Sequence, residues 1–164
     1  MDNPFWDFSL KVYGQAEVPA ACLRIQAGFG ADVNILLYLC WLSARGIAVS
    51  GADIEAVVSA SSRWHREVVI PLRQIRTKLK SDSLGTEATE AESFRSSVKR
   101  LELTAEQLEQ NLLNGLEFSN RSVSLAMAER SVAMRRALEA YLATLSGALP
   151  DDQSLGTLVD AALY

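Results

Sequence analysis

Two groups of side chains in this 164-residue chain have the types and spacing for chemistry. The first is Asp32 with Asn34, polar residues at the mouth of the apolar run Ile35–Leu42. A carboxylate and an amide set against so apolar a segment can line a pocket in which Asp32 binds a ligand or takes a proton. The same pair has a simpler use. Asp32 can serve the N-terminus of a helix and Asn34 a nearby backbone group, since perturbed carboxylates also occur in structural networks. The second group is Arg66, Arg73, Arg76 and Lys80, whose steps of seven, three and four share one helix face, with Arg63 at a neighbouring angle. Planar guanidinium forks at that spacing suit phosphate or carboxylate groups. The competing expectation is a solvated or internally paired face, with Glu102, Glu106 and Glu109 as partners.

Other candidates carry less. His65 is the single histidine, with no Ser, Cys or second His at a diagnostic spacing, so a structural or surface role is expected and no metal site is assigned. Cys22 and Cys40 form no CxxC or other metal spacing and read as small buried hydrophobes. Gly28-Phe29-Gly30 lacks the pattern of a phosphate loop. Trp6, Trp41 and Trp64 read as core rather than as a stacking platform for bases. No catalytic residue and no cofactor is assigned.

The elements that must hold these groups are all helical. The central one covers the run Ile35–Leu42, opened by Asp32 in its first turn and closed by Arg45 and Gly46. A helix apolar on every side has to be surrounded by protein. Before it, Asn3 and Pro4 start a helix whose stripe is Trp6, Leu10 and Tyr13, widened by Phe5, Phe8 and Val12. A second helix from Pro19 to about Gly28 is expected to bury Ala20, Leu23 and Ala27.

After the central helix, Ser50 and Asp53 form a capping-box start, and helical spacing runs on to Lys80 with a kink at Pro71. Phe94, Val98, Leu101, Ala105, Leu108 and Leu112 then repeat at steps of four and three, a coiled-coil-like seam. The cluster Asn114–Asn120 reads as a turn, and a following helix is expected to carry Val123, Ala126, Ala133, Ala137, Tyr141 and Leu145 on one face. These two helices would form an antiparallel hairpin. Pro150 with Asp151 and Asp152 restarts a short last helix bearing Leu155, Leu158, Val159 and Leu163. No segment alternates with the period of a strand.

The expected fold is therefore all-α: a single-domain bundle of about six to seven helices with a buried central helix and a long C-terminal helical hairpin. Residues 1–80 form the core region, 81–92 a linker-like segment, and 93–164 the hairpin with the last helix.

Composition narrows the function classes. The chain is 49% hydrophobic and 22% charged, which suits a folded protein that needs no metal or disulfide to hold a core. A net charge of −4 argues against general DNA or RNA binding, which draws on a basic surface. The charge is uneven, with six basic and one acidic residue in 63–80 between acidic halves. The acidic start MDNPFWDF is unlike an export signal, and the apolar run at Ile35 is too short to span a bilayer, so a cytoplasmic protein without a membrane span is expected.

The segments FWDFSLKVY (Phe5 to Tyr13), ACLRIQ (Ala21 to Gln26), GADVNILLYLCWLS (Gly30 to Ser43) and W-x6-PLRQIRTKLK (Trp64 to Lys80) resemble an uncharacterised bacterial family, domain of unknown function two-three-nine-zero. The likeness covers about the first half of the chain and implies a small cytosolic helical protein. It implies no activity, substrate or catalytic residue.

Three readings of function follow. The first is a non-enzymatic interaction or adaptor protein that docks a protein partner or a second copy of itself. The second is a binding module for an anionic ligand (phosphate, nucleotide or RNA) through Arg66, Arg73, Arg76 and Lys80. The third is an enzyme with a polar pocket around Asp32, Asn34 and an arginine.

Overall fold

A computed structural model describes residues 3–146 and 151–164. They form α1 (Pro4–Tyr13), α2 (Val18–Phe29), α3 (Val33–Ala44), α4 (Gly51–Trp64), α5 (Ile70–Ser81), α6 (Ala88–Asn114), α7 (Arg130–Ser146) and α8 (Asp152–Leu163). Among the described residues there is no strand, and α4 and α5 are joined by a π-helical turn, His65–Val69, into one rod. The fold is an all-α bundle. None of its described helices is long and apolar enough to cross a membrane.

The axle of the bundle is α3. Every side chain from Asn34 to Ser43 is buried, and α1, α6, α7 and α8 pack around it. Burial on all sides is what an all-apolar helix requires, because no face of it is stable against water. Phe5 of α1 sets its ring edge-on to Tyr38 at 5.1 Å and tilted against Trp41 at 5.4 Å, locking α1 to the axle. Asp32 is the N-cap, not a first-turn residue, and its carboxylate accepts from the Asn34 N–H. At the other end Gly46 takes φ +79° and the Ile47 N–H donates to the Leu42 carbonyl at 2.9 Å. Asn3 and Ser50 cap their helices as their types dictate, and Asp53 closes a capping box with Ser50.

Tertiary packing redraws several faces. On α1 the inward stripe is Phe5, Ser9 and Val12, while Leu10 and Tyr13 are exposed and Trp6 is half-buried. On α2 the buried residues are Val18, Ala21, Cys22 and Ile25; the expected Ala20, Leu23 and Ala27 face outward. Both helices carry more apolar residues than one face holds, so their neighbours decide which face is buried.

The connection between the halves is shorter than its composition implies. Helix α6 starts at Ala88, leaving 82–87 as the turn, with positive φ at Leu84 and Gly85. Glu90 in its first turn favours the helix dipole, so acidic residues that resemble a linker are good helix starters here.

The expected hairpin of α6 with the next helix is replaced. Helix α6 pairs along α5 instead, and α7 packs on α3 and α8. The reason lies in residues 121–126, which do not continue a helix. The N–H groups of Ser124 and Leu125 both donate to the Gly46 carbonyl, at 2.8 and 2.9 Å, and strap this segment across the end of α3. Val123 and Ala126 thus lie on an irregular, exposed segment rather than on a helix. Pro150 falls outside the described residues, but Asp151 caps α8 through the Ser154 N–H as expected for a restart.

Candidate functional site

Pro71 was expected to kink the long helix; the structure widens it. The Ile70 N–H reaches back to the His65 carbonyl, and Pro71 then sits in the first turn of α5, where its missing donor is tolerated. Single π turns inside helices are frequent at functional positions. This one opens on His65 and turns its ring inward, between α3 and α6.

His65 meets two carboxylates there. Its Nδ1 lies 3.2 Å from Asp32 Oδ2 and 3.2 Å from Glu109 Oε1. The Glu109 side chain is fully buried, and those of Asp32 and His65 are 7% and 13% exposed. The other oxygen of each carboxylate is already engaged: the Asn34 N–H donates to Asp32 Oδ1 at 2.8 Å and Asn34 Nδ2 donates to Glu109 Oε2 at 2.7 Å. Gln110 Nε2 donates to Asn34 Oδ1 at 2.8 Å, and the Asp32 N–H donates to the Tyr141 hydroxyl at 3.0 Å. Asn34 therefore orients both carboxylates, rather than satisfying the backbone as its type suggested.

Burial and the neighbouring Glu109 push the Asp32 carboxyl well above its usual range, although His65 opposes the shift. Burial also works against charge on His65, yet the Glu109 and Asp32 carboxylates raise it overall. Asp32, His65 and Glu109 each offer one ligand atom within 4.8 Å of the others, so these are the described residues that can hold a metal ion.

Asp32 and Asn34 also form the floor of a cleft of about 470 Å³, together with Gln110. Its walls are apolar, with Trp6, Leu10 and Tyr13 from α1, Leu23 from α2, Leu37 from α3 and Leu103 from α6. This explains the misassigned α1 stripe, because Trp6, Leu10 and Tyr13 border a cavity instead of a neighbouring helix. The rim carries Arg73, Arg76, Lys99, Arg100, Glu102 and Glu106.

The predicted basic face divides at this rim. Arg73 donates through Nε to Glu102 at 3.0 Å, through Nη2 to Glu106 at 2.8 Å and through Nη1 to Gln26 at 3.0 Å. Arg76 bonds both oxygens of Glu102. Burial raises Glu106 despite Arg73, whereas Glu102, also resisted by burial, is held below its usual range by Arg76 and Arg73. Two of the expected four, Arg73 and Arg76, thus reach the cleft, but as partners of α6 carboxylates. Arg66 is exposed beside Glu67 and Lys80 is exposed farther along; neither lines the cleft.

Of the four cations at this cleft, Lys99 and Arg100 have no carboxylate partner among the described residues, and sequence reasoning did not select them. His65 and Glu109 were also not joined as a site. One signal was available: Glu102 and Glu109 interrupt, at heptad spacing, the same α6 stripe as Ala91, Val98, Ala105 and Leu113. A carboxylate on an otherwise apolar stripe has to meet a cation or a donor inside the protein.

A family model described as protein of unknown function (DUF2390) matches residues 4–113. No curated protein and no solved structure matches the chain.

Proposed function

The chain belongs to the DUF2390 family, whose description assigns no activity, and from its own cleft we propose that it binds a small amphipathic ligand with an apolar body and an anionic head. The supporting observation is the arrangement of that cleft: seven apolar side chains, Val33 among them, wall it, and Lys99 and Arg100 at its rim have no carboxylate partner among the described residues. Pockets of this size and lining hold small molecules, with a few polar groups setting orientation. The apolar body lies between Trp6, Leu10, Leu37 and Leu103. The head group meets Lys99 and Arg100 rather than the long-helix arginines, whose charge Glu102 and Glu106 already balance.

The probe is anilinonaphthalene sulfonate, which has this chemistry. It is expected to bind the folded protein at one saturable site. Lys99→Glu with Arg100→Glu should weaken it about tenfold, from two exposed charge contacts of about 0.7 kcal/mol each. Leu103→Asp, with its α6 neighbours intact, should weaken it further. Binding indifferent to both changes would remove the proposal.

A second reading keeps the interaction protein. Phe94, Leu101 and Leu108, at heptad spacing on α6, are 59%, 57% and 46% exposed, with Leu112 at 47%. The seam expected to pack internally thus turns largely outward, since α5 takes the adjacent stripe. A row repeated every seven residues is self-complementary and suits a second copy of this chain. Light scattering should then report a dimer that Leu101→Glu dissociates. A strict monomer at all concentrations would count against it.

A further inference from the structure

We propose that Asp32, His65 and Glu109 form a binding centre for one divalent transition-metal ion of the zinc class. The first ground is the unmet polar demand at this point. Asp32 Oδ2 and Glu109 Oε1 are buried and have no hydrogen-bond partner. Both approach the same ring nitrogen, at 3.2 Å each. One nitrogen carries at most one proton, so it can donate well to only one of them. Even a protonated imidazole leaves two buried carboxylates facing a single positive charge, an arrangement expensive in a dry interior.

The second ground is spacing. Ligand atoms about 2.0–2.1 Å from a zinc ion stand about 3.3 Å apart around a tetrahedron. The separations from His65 Nδ1 to Asp32 Oδ2 and Glu109 Oε1, 3.2 Å each, are close to that edge, with Glu109 Oε2 beside them at 3.3 Å.

The third ground is how the donors are held. The Asn34 backbone N–H occupies Asp32 Oδ1 and its side-chain amide occupies Glu109 Oε2, which also lies 3.3 Å from His65 Nδ1, and Gln110 holds Asn34 in turn. Outer contacts of this kind fix the orientation of ligating carboxylates. The π turn aims His65 at the same point. One nitrogen and two oxygens suit zinc, iron or manganese, and zinc binds more tightly than either by the usual order. Three protein ligands leave a fourth position for water or a small molecule, and Asp32 links the centre to the cleft floor. This inference does not depend on what the cleft binds.

The test uses full-length protein, chelator-treated and dialysed, titrated with Zn²⁺ alone by calorimetry and with Co²⁺ alone by visible absorption. One ion per chain is expected for each, with thermal stabilisation by Zn²⁺. Asn34→Ala keeps the backbone N–H on Asp32 but removes the amide from Glu109 Oε2, and should weaken binding by about 10-fold, and Asp32→Asn and Glu109→Gln by more. Circular dichroism checks that each variant is folded. Should Glu109→Gln fail to fold, Asp32→Asn at the helix cap carries the same test. Absence of a stoichiometric site for either ion overturns the proposal, as does affinity unchanged in Asp32→Asn.

Discussion

Leu39→Ala is expected to lower the free energy of unfolding by about 3–4 kcal/mol, read as a shift in the urea midpoint at constant slope. Leu39 lies midway along α3 and is fully buried. Removing three carbons there forfeits their transfer energy, and neighbours on several helices have to move together to fill the space, so a cavity remains. Leu101→Ala is the matching control. That side chain is 57% exposed on α6, and its loss should change stability by less than about 0.5 kcal/mol. The same substitution thus reports opposite burial at two leucines of equal hydropathy. Similar losses at both positions would mean that α3 is not the axle.

Glu102→Ala should cost about 3 kcal/mol. This carboxylate is buried on α6 and serves both Arg73 and Arg76, whose side chains are 22% and 27% exposed. Without it two guanidinium groups remain in a partly dry groove with Glu106 as the remaining partner of Arg73. The loss should be larger than the worth of the ion pairs themselves, because much of it is the penalty for stranded charge. Replacing Glu102 and Arg76 together by leucine, with Arg73 left on Glu106, should therefore recover much of the stability.

The pH dependence has a definite sign. Glu102 has a lowered folded-state pKa, since the two arginines outweigh burial. Its contribution is complete above the unfolded-state value of about 4.3 and disappears as pH falls through the folded value. Urea titrations from neutral to acid pH should show the gap between Glu102→Ala and the parent protein closing below that range. A gap that stays constant would place the effect in packing rather than charge.

The legibility of the chain varied with the range of the interactions involved. Helix ends were readable because caps act within four residues: Asn3 bonds Phe5 and Trp6, Ser50 bonds Asp53, and Gly46 turns the chain locally. Helix faces were less so. On α1, α2 and α6 apolar residues exceed the width of one stripe, and local spacing cannot choose between Leu10 and Ser9, or between Leu101 and Glu102, for the inside. The candidate site was half readable. Asp32, Asn34, Arg73 and Arg76 were singled out and do meet at one cleft, while His65, Glu109, Lys99 and Arg100 were passed over.

What the amino-acid order determined by itself was an all-helical chain with a dry axle at Ile35–Leu42. Period, capping and an apolar surplus on every face of one segment are properties of neighbours in sequence, and physics acts on them before any tertiary contact forms. Only the folded packing decided that α6 lies along α5 instead of α7. The same packing brought a histidine at a π turn and a glutamate 44 residues later to one buried point. Such meetings depend on how whole helices share the surface of the axle, and that is a competition among burial energies which no local spacing encodes.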